Sequence, residues 1–326
     1  MGALPNSLVR GYLIILRLLL RTLRRLAGAF EPLAERIVGE RGPRRDVQER
    51  CCIDLPPHIR ARPDPYIYSQ EWLRQRGLAY VWDNPDFRLL AVPGGAPADH
   101  HDLKPDTDYD VEVTVHNGSL MGAINTEVRL EVLNFGAGTA VVADLGVRHV
   151  DVPGAGSSKA VFRWRTPPEG GHRCLRATLQ HHDDANPLNN VGQHNTDVAR
   201  PASPTRKLRF LVGNHGTAPK AYRFEMDAYQ LPKQPQCAAT FEERGSEAHL
   251  RRLQKANDPA AFPVPPYLQA RLTRDRVALE PGQEVEVALE MNPPPRGTGR
   301  HAVNVHVLDG TRLVGGVTAY VLEEGK

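Results

Sequence analysis

The sequence predicts a mainly β protein: two tandem immunoglobulin-like antiparallel β-sandwiches preceded by an N-terminal amphipathic α-helix. Three observations predict this class. Short segments in the last three quarters of the chain alternate apolar and polar residues, as half-buried strands do. Turn sequences separate these segments, and no long helical pattern comes between them. Gly and Pro each occur 28 times in 326 residues, which favours short strands joined by turns.

Composition narrows the class of protein further. Hydrophobic residues make up 40% and charged residues 24%, as in soluble globular proteins. A formal net charge of +3 is too small to indicate nucleic acid, so we expect no nucleic-acid partner. The four cysteines, which form no CxxC pair, are predicted to be free thiols in a reducing, cytoplasmic compartment: Cys51, Cys52, Cys174 and Cys237.

Residues 1–50 are predicted to form a basic amphipathic helix followed by a linker. The first 30 residues contain no acidic side chain. Arginines spaced by seven, four and three residues share one helical face, and leucines at the same period form the opposite face. The residues expected to bind a membrane or a partner are Arg10, Leu13, Leu16, Arg17, Leu20, Arg21, Leu23, Arg24 and Arg25.

Two uses of this helix remain open. Its apolar runs are too short to span a bilayer, which needs about 20 residues. It is suited to an anionic membrane surface, which would place the protein peripherally on the inner membrane surface. Alternatively, its leucine face docks on a partner helix, on another copy of the chain or on the chain's own sandwich.

Residues 51–84 are predicted to be a proline-rich and aromatic connecting segment with one short helix. Ser69 is the expected N-cap of that helix, and Gly77 lies just past its end. The aromatic residues of this segment are expected to pack as a plug at a domain edge and not to form a ligand platform: Tyr66, Tyr68, Trp72, Tyr80 and Trp82.

A first sandwich is predicted over residues 85–200. Apolar side chains alternate with polar ones in four segments, which are residues 109–115, 128–132, 162–164 and 175–179. Turn signals, such as His116-Asn117-Gly118-Ser119, separate them. This pattern is typical of an antiparallel sandwich.

Four segments of this region, PDFRLLAV, TDYDVEVTVHNGS, VFRWRTPPEGGHRCLRATL and DDANPLNNVGQHNTDV, resemble the CARDB-type immunoglobulin-like module of bacteria and archaea. The resemblance covers about Pro85 to Val198. Gly192-Gln193-His194 stands where family loops commonly carry acidic residues. The resemblance implies a non-catalytic seven-stranded sandwich that is often a spacer or an interaction module. Cys174 has no partner cysteine on an early strand, so the immunoglobulin disulfide is not expected.

The polar loop, residues 181–190, carries the one metal-like cluster of the sequence. Its oxygen-bearing side chains suit calcium, with Asp183, Asp184, Asn186 and Asn189 as the ligands. The favoured alternative is that these side chains bond backbone amides and brace the loop. A zinc site formed by His181, His182 and His194 is less favoured, because adjacent histidines point apart on a strand.

A second immunoglobulin-like sandwich is predicted over residues 205–326. Six segments alternate apolar and polar residues, and an insertion at 230–267 contains a short helix over 242–256. This long connection is expected to cover a sheet edge or to bind a partner.

The sequence contains no GxSxG, P-loop, HExxH or Rossmann motif, which argues against an enzyme. The predicted function is a scaffold or adaptor that attaches through its basic helix and presents its sandwiches to protein partners. One alternative is a calcium- or carbohydrate-binding module acting through residues 181–190. Another is a structural subunit of a homomeric or phage-like particle. No cofactor is expected except calcium at the polar loop.

Overall fold

The computed structural model describes residues 62–198, 207–231, 247–296 and 298–321, which all belong to one compact unit, residues 46–326. Strands dominate these ranges, so the prediction of a mainly β protein is confirmed. The predicted N-terminal helix and its basic residues lie outside the described residues, as do residues 232–246 of the insertion. Among the described helices, none has the length and apolar character needed to cross a membrane.

The first β region is a sandwich of two antiparallel sheets. In one sheet β3 pairs with β1, β2 and β7, and the other sheet has the order β6-β4-β8-β9. The strands are β1 (Pro65–Tyr66), β2 (Phe87–Ala91), β3 (Asp108–Asn117), β4 (Ala123–Asn134), β5 (Gly136–Ala137), β6 (Val141–Val152), β7 (Ser157–Arg165), β8 (Gly171–Gln180) and β9 (Val191–Val198).

The alternating pattern of the sequence places one face of each sheet in a shared core. Val111 of β3, Leu130 of β4 and Leu175 of β8 are fully buried there. Burial of such side chains stabilises the fold by about 1.5–3 kcal/mol each. Strand β6 is mostly exposed, which explains why alternation did not reveal it.

The second β region is one hydrogen-bonded path of eight strands with the order β12-β14-β10-β5-β16-β15-β11-β13. These strands surround a core of their own, in which Phe210, Leu289 and Val305 are buried. Six of the strands lie where alternation predicts them, while the immunoglobulin-like arrangement of this region stays a prediction. The strands are β10 (Lys207–Gly213), β11 (Lys220–Asp227), β12 (Arg271–Leu272), β13 (Arg276–Leu279), β14 (Glu284–Glu290), β15 (His301–Asp309) and β16 (Arg312–Val321).

Strand β5 joins the two regions. It follows β4 of the sandwich directly, yet it pairs parallel to β10 and antiparallel to β16. Gly136 allows this approach, because a Cβ atom there would stand 1.8 Å from the carbonyl oxygen of Leu211. Its φ of 142° also disfavours any other residue.

A third core, the aromatic cluster, lies at the same junction. Helix α1 (Gln70–Gln75) begins after Ser69, whose side chain accepts from the backbone N–H of Trp72, as the sequence predicts. Trp72 and Trp82 are buried with side chains of the second region, such as Leu308. The prediction of a packed plug is therefore confirmed.

The insertion packs against this plug. Helix α2 (Glu247–Ala256) occupies the C-terminal part of the helix predicted over 242–256. Its Leu253 contacts the aromatic cluster, and Gln254 Nε2 donates to the carbonyl oxygen of Arg76 at 2.7 Å. Within the described residues, α2 therefore covers the end of α1.

Candidate functional site

The polar loop connects β8 to β9, and its two carboxylates are engaged in hydrogen bonds. Asp183 Oδ1 accepts from Arg62 Nε at 2.7 Å. Asp184 accepts from the backbone N–H of Asn186 at 2.8 Å and from Asn190 Nδ2 at 2.6 Å. Burial raises the pKa of Asp184, against the opposing effect of those bonds. These bonds are those that a braced loop requires.

The two asparagines predicted as calcium ligands are buried in the same loop. Asn189 Nδ2 donates to Asp64 Oδ1 at 3.2 Å, outside the loop. Asn186 Nδ2 and Asn189 Oδ1 are buried without a hydrogen-bond partner. All four predicted ligand residues thus belong to one loop, but their carboxylate oxygens accept from protein donors. Calcium binding at this loop stays a prediction.

The histidines of the zinc alternative are arranged differently from the expectation. His181 and His182 lie just beyond the last residue of β8, so the strand geometry that would point them apart does not apply. Their ring centroids are 4.6 Å apart, and they line an open groove of about 670 Å³. The expectation that they diverge is therefore wrong. His194 lies in the middle of β9, three residue pairs from the loop end of the β8–β9 ladder, next to other histidines.

A second group of polar residues, the histidine cluster, lies at the junction of the two β regions. Two residues come from β9, one from β8, one from the bend before β2 and two from the turn between β2 and β3. The histidine cluster consists of Asp83, His100, His101, His172, His194 and Asp197.

Backbone hydrogen bonds to β9 position this cluster. The N–H of Asn195 donates to the carbonyl oxygen of Trp82 at 3.0 Å, which fixes the bend that contains Asp83. The N–H of Asp197 donates to the carbonyl oxygen of His100 at 2.7 Å. The bend before β2 and the turn after it are thereby brought together along one strand.

Two carboxylates organise the side chains. Asp83 Oδ2 lies 3.1 Å from His101 Nε2 and 3.6 Å from His100 Nε2, and it also accepts from the hydroxyl of Tyr320 on β16. Asp197 lies 3.4 Å from His101 Nδ1 and is hydrogen-bonded to His172 Nδ1. His101 therefore bridges the two carboxylates through its two ring nitrogens.

The electrostatics of the cluster follow from burial and pairing. Burial disfavours the charge on Asp83, but the nearby rings of His100 and His101 outweigh it and hold the pKa of Asp83 well below its usual range. For His101 burial lowers the pKa, whereas bonds to Asp197 and Asp83 raise it to about 9 overall. Burial by itself would raise the pKa of Asp197, but hydrogen bonds with His101 and His172 lower it to about 2.

His194 is the exception in this network. Only 2% of its surface is exposed, and burial holds the pKa of His194 well below the usual value. The backbone of Asn84 acts in the opposite direction and has the smallest influence. Neither ring nitrogen makes a hydrogen bond of ordinary geometry. Its ring stacks on Phe87 and lies 4.6 Å, centroid to centroid, from that of His100. A buried histidine that lacks such a bond is unusual, since most buried polar atoms are hydrogen-bonded.

The cluster combines donor atoms that bind metal ions. One ligand atom each from Asp83, His100 and His101 lies within 4.8 Å of the others, a grouping found once in the described ranges of the chain. The sequence pattern does not predict this grouping. The available signal was the His100-His101 pair itself, which lies in a turn, where neighbouring side chains need not diverge.

No protein-family model matches the chain, and no curated protein matches it. Among solved structures, a CARDB domain from Pyrococcus furiosus is 18% identical, with 36% of this chain and 96% of that chain covered and a TM-score of 0.26. A crystal structure of the same domain, described as in complex with di-metal ions, gives 18% identity, coverages of 38% and 96%, and a TM-score of 0.25. The resemblance of the first sandwich to a CARDB-type module is thus confirmed.

Enzyme domains are also found. The β-glucosidase of Listeria innocua is 13% identical, with a TM-score of 0.24, and the match covers 35% of this chain but 16% of that enzyme. At such identities and TM-scores, these likenesses concern the β fold and carry no argument about activity.

Proposed function

We propose that this chain is a non-enzymatic scaffold that attaches through its basic N-terminal helix and presents a rigid β body to protein partners. The observation that carries the proposal is the joining of two β cores by β5 and by the aromatic cluster. Two domains on a flexible linker would move relative to each other, whereas a shared sheet and core favour a fixed relation. Two β cores held in a fixed arrangement can present their surfaces together to a protein partner.

Exposed apolar side chains at one end of the first sandwich support a role in protein contact. Leu120 is 70% exposed and Ile124 is 59% exposed, both near the start of β4. The carbonyl oxygen of Ile124 lies 3.1 Å from His181 Nε2, beside the groove, and Leu188 of the polar loop is 57% exposed. Apolar residues grouped around a polar groove are typical of interaction surfaces.

Attachment is proposed from the sequence of the arm. Five arginines without a compensating acid within the first 30 residues favour an anionic lipid surface. Each arginine near such a surface contributes about 1 kcal/mol to binding. Loss of several of them should therefore abolish attachment.

The test uses the full chain and vesicles that contain phosphatidylserine. In the arm variant, glutamine replaces Arg10, Arg17, Arg21, Arg24 and Arg25. In the matched control, glutamine replaces five exposed arginines of the β body, which are Arg88, Arg252, Arg274, Arg276 and Arg312. We expect the parent and the control to co-sediment with the vesicles and the arm variant to remain in the supernatant. Equal sedimentation of all three proteins would refute membrane attachment.

Light scattering without lipid addresses the other use of the arm. If the parent forms a defined larger species that the arm variant cannot form, the arm attaches copies of the chain to one another. A monomeric parent that still binds vesicles supports the membrane surface as the attachment site.

A further inference from the structure

Four buried polar atoms without a hydrogen-bond partner meet in the histidine cluster. They are Asp83 Oδ1, His100 Nε2 and both ring nitrogens of His194. An unsatisfied buried polar group costs about 1–3 kcal/mol. A carboxylate oxygen and an imidazole nitrogen without protein partners can each donate an electron pair to a metal ion.

The spacing of these atoms suits a metal ion. Zinc–nitrogen and zinc–oxygen bonds of about 2.0–2.2 Å at a tetrahedral angle place two ligand atoms about 3.3–3.5 Å apart. Asp83 Oδ2 lies 3.1 Å from His101 Nε2 and 3.6 Å from His100 Nε2. The three ligand atoms lie within 4.8 Å of one another, so an ion could enter between them once the side chains adjust.

The surroundings also match those of a metal ligand. Histidines that bind zinc usually donate their other ring N–H to a carboxylate, which fixes the ring. His101 has this arrangement, because its Nε2 faces Asp83 while its Nδ1 faces Asp197 at 3.4 Å. Asp197 is in turn held by His172 on the neighbouring strand β8.

We propose that the histidine cluster binds one divalent first-row transition metal ion, with zinc as the preferred ion. Asp83, His100 and His101 are the ligands, and Asp197 is a positioning residue. Imidazole and carboxylate donors select zinc and its neighbours, whereas calcium requires six to eight oxygens. The ion ties the turn between β2 and β3 to the bend before β2 and, through Asp83 and Tyr320, to β16 of the second region.

An ion-pair network without metal is the competing explanation. In that case, His101 and Asp83 simply share a proton, and Tyr320 completes the pairing. This explanation accounts for His101 but leaves the Nε2 of His100, which lies 3.6 Å from Asp83 Oδ2, without a hydrogen-bond partner. A metal ion between Asp83 and His100 provides this nitrogen with a partner.

The test is a titration of the chelator-treated full chain with zinc, followed by calorimetry. Cys51, Cys52 and Cys237 are first replaced with serine, because thiolates bind zinc. Cobalt serves as a second probe, since tetrahedral cobalt absorbs strongly in the visible range. We expect one zinc per chain, a cobalt spectrum of tetrahedral type and a higher melting temperature in the presence of zinc.

The matched variants are His100→Gln/His101→Gln in the cluster and His181→Gln/His182→Gln in the polar loop. We expect the first variant to lose zinc binding and the second to bind as the parent does. Absence of saturable zinc binding by the parent would overturn the proposal. Zinc binding that survives in the first variant, or that disappears in the second, would also overturn it.

Two single substitutions keep the test decisive if the double variant does not fold. His100→Gln changes the most exposed ring of the three ligands and should weaken zinc binding at least tenfold. Asp197→Asn should weaken it by about 10- to 100-fold while leaving one zinc per chain, as outer-shell substitutions do. Unchanged affinity in both folded variants would assign the zinc to another place in the chain.

Discussion

The chain carries two adjacent histidine pairs whose surroundings differ. His181 and His182 lie at the rim of an open groove, where the neighbouring carboxylates already accept from Arg62 and from the loop's own amides. His100 and His101 lie at the junction of two β cores, among carboxylates that bond to histidines and to Tyr320. Residue types alone would have favoured the polar loop, with its four oxygen-bearing side chains. The pattern of hydrogen bonds favours the histidine cluster as the metal site.

The two clusters differ in which polar atoms remain unpaired. In the polar loop, both carboxylates have donors in the protein, and the buried atoms without a partner are amide atoms of Asn186, Asn189 and Asn190. In the histidine cluster, both nitrogens of His194 have none of ordinary geometry, although the residue is almost fully buried. Burial makes each unpaired atom expensive, so the difference has measurable consequences for stability.

The largest expected effect is on stability, and it comes from replacing Asp83 in the histidine cluster. Asp183 in the polar loop, which also pairs with a cation, serves as the comparison. Asp83→Ala removes the partner of a buried, charged His101 and should lower the free energy of unfolding by about 3–5 kcal/mol in chelator-containing buffer. Asp183→Ala breaks an exposed pair with Arg62 and should cost about 0–1 kcal/mol. Urea unfolding of both variants measures the difference. Equal losses of unfolding free energy would show that the buried ion pair contributes no more to stability than the exposed one.

A smaller effect is expected within the polar loop. Asp184→Ala leaves the backbone N–H of Asn186 and the side chain of Asn190 without their acceptor, which should cost about 1–3 kcal/mol. Because bracing accounts for this carboxylate, calcium should neither release heat on titration nor raise the melting temperature of the parent. Heat that disappears in Asp183→Ala and Asp184→Ala would instead support the calcium-binding alternative.

Much of the fold could be predicted because alternation reports which side chains face a core. Strands such as β3 and β8 follow that rule, and Ser69 caps α1 through local chemistry alone. Strand β5 could not be predicted, since two residues carry no period and their partners lie more than 70 positions away. The histidine cluster was missed for a similar reason: Asp83, His101 and His194 meet only because separate backbone segments bond to β9.

A still smaller effect, of opposite sign, is expected for His194→Phe. Phenylalanine keeps the stacking on Phe87 and removes two buried nitrogens that have no partner. In metal-free buffer the variant should be as stable as the parent or more stable by about 1 kcal/mol. Zinc should stabilise the parent and the variant alike, because His194 is not a ligand. A loss of several kcal/mol without metal would show that His194 has a protein partner after all.

The last prediction uses Cys174 to report which cluster holds the β8–β9 hairpin closed. Burial raises the pKa of the Cys174 thiol to about 12, so very little of the reactive thiolate is present at neutral pH. With the other three cysteines replaced by serine, the folded parent should resist alkylation by iodoacetamide until urea unfolds it. Asp83→Ala should speed alkylation under native conditions, because the cluster anchors the segments that bond to β9. Asp184→Ala should speed it less, because its loop lies at the far end of the hairpin. If both variants react equally fast, the two clusters contribute equally to closure, and the distinction between them concerns metal binding alone.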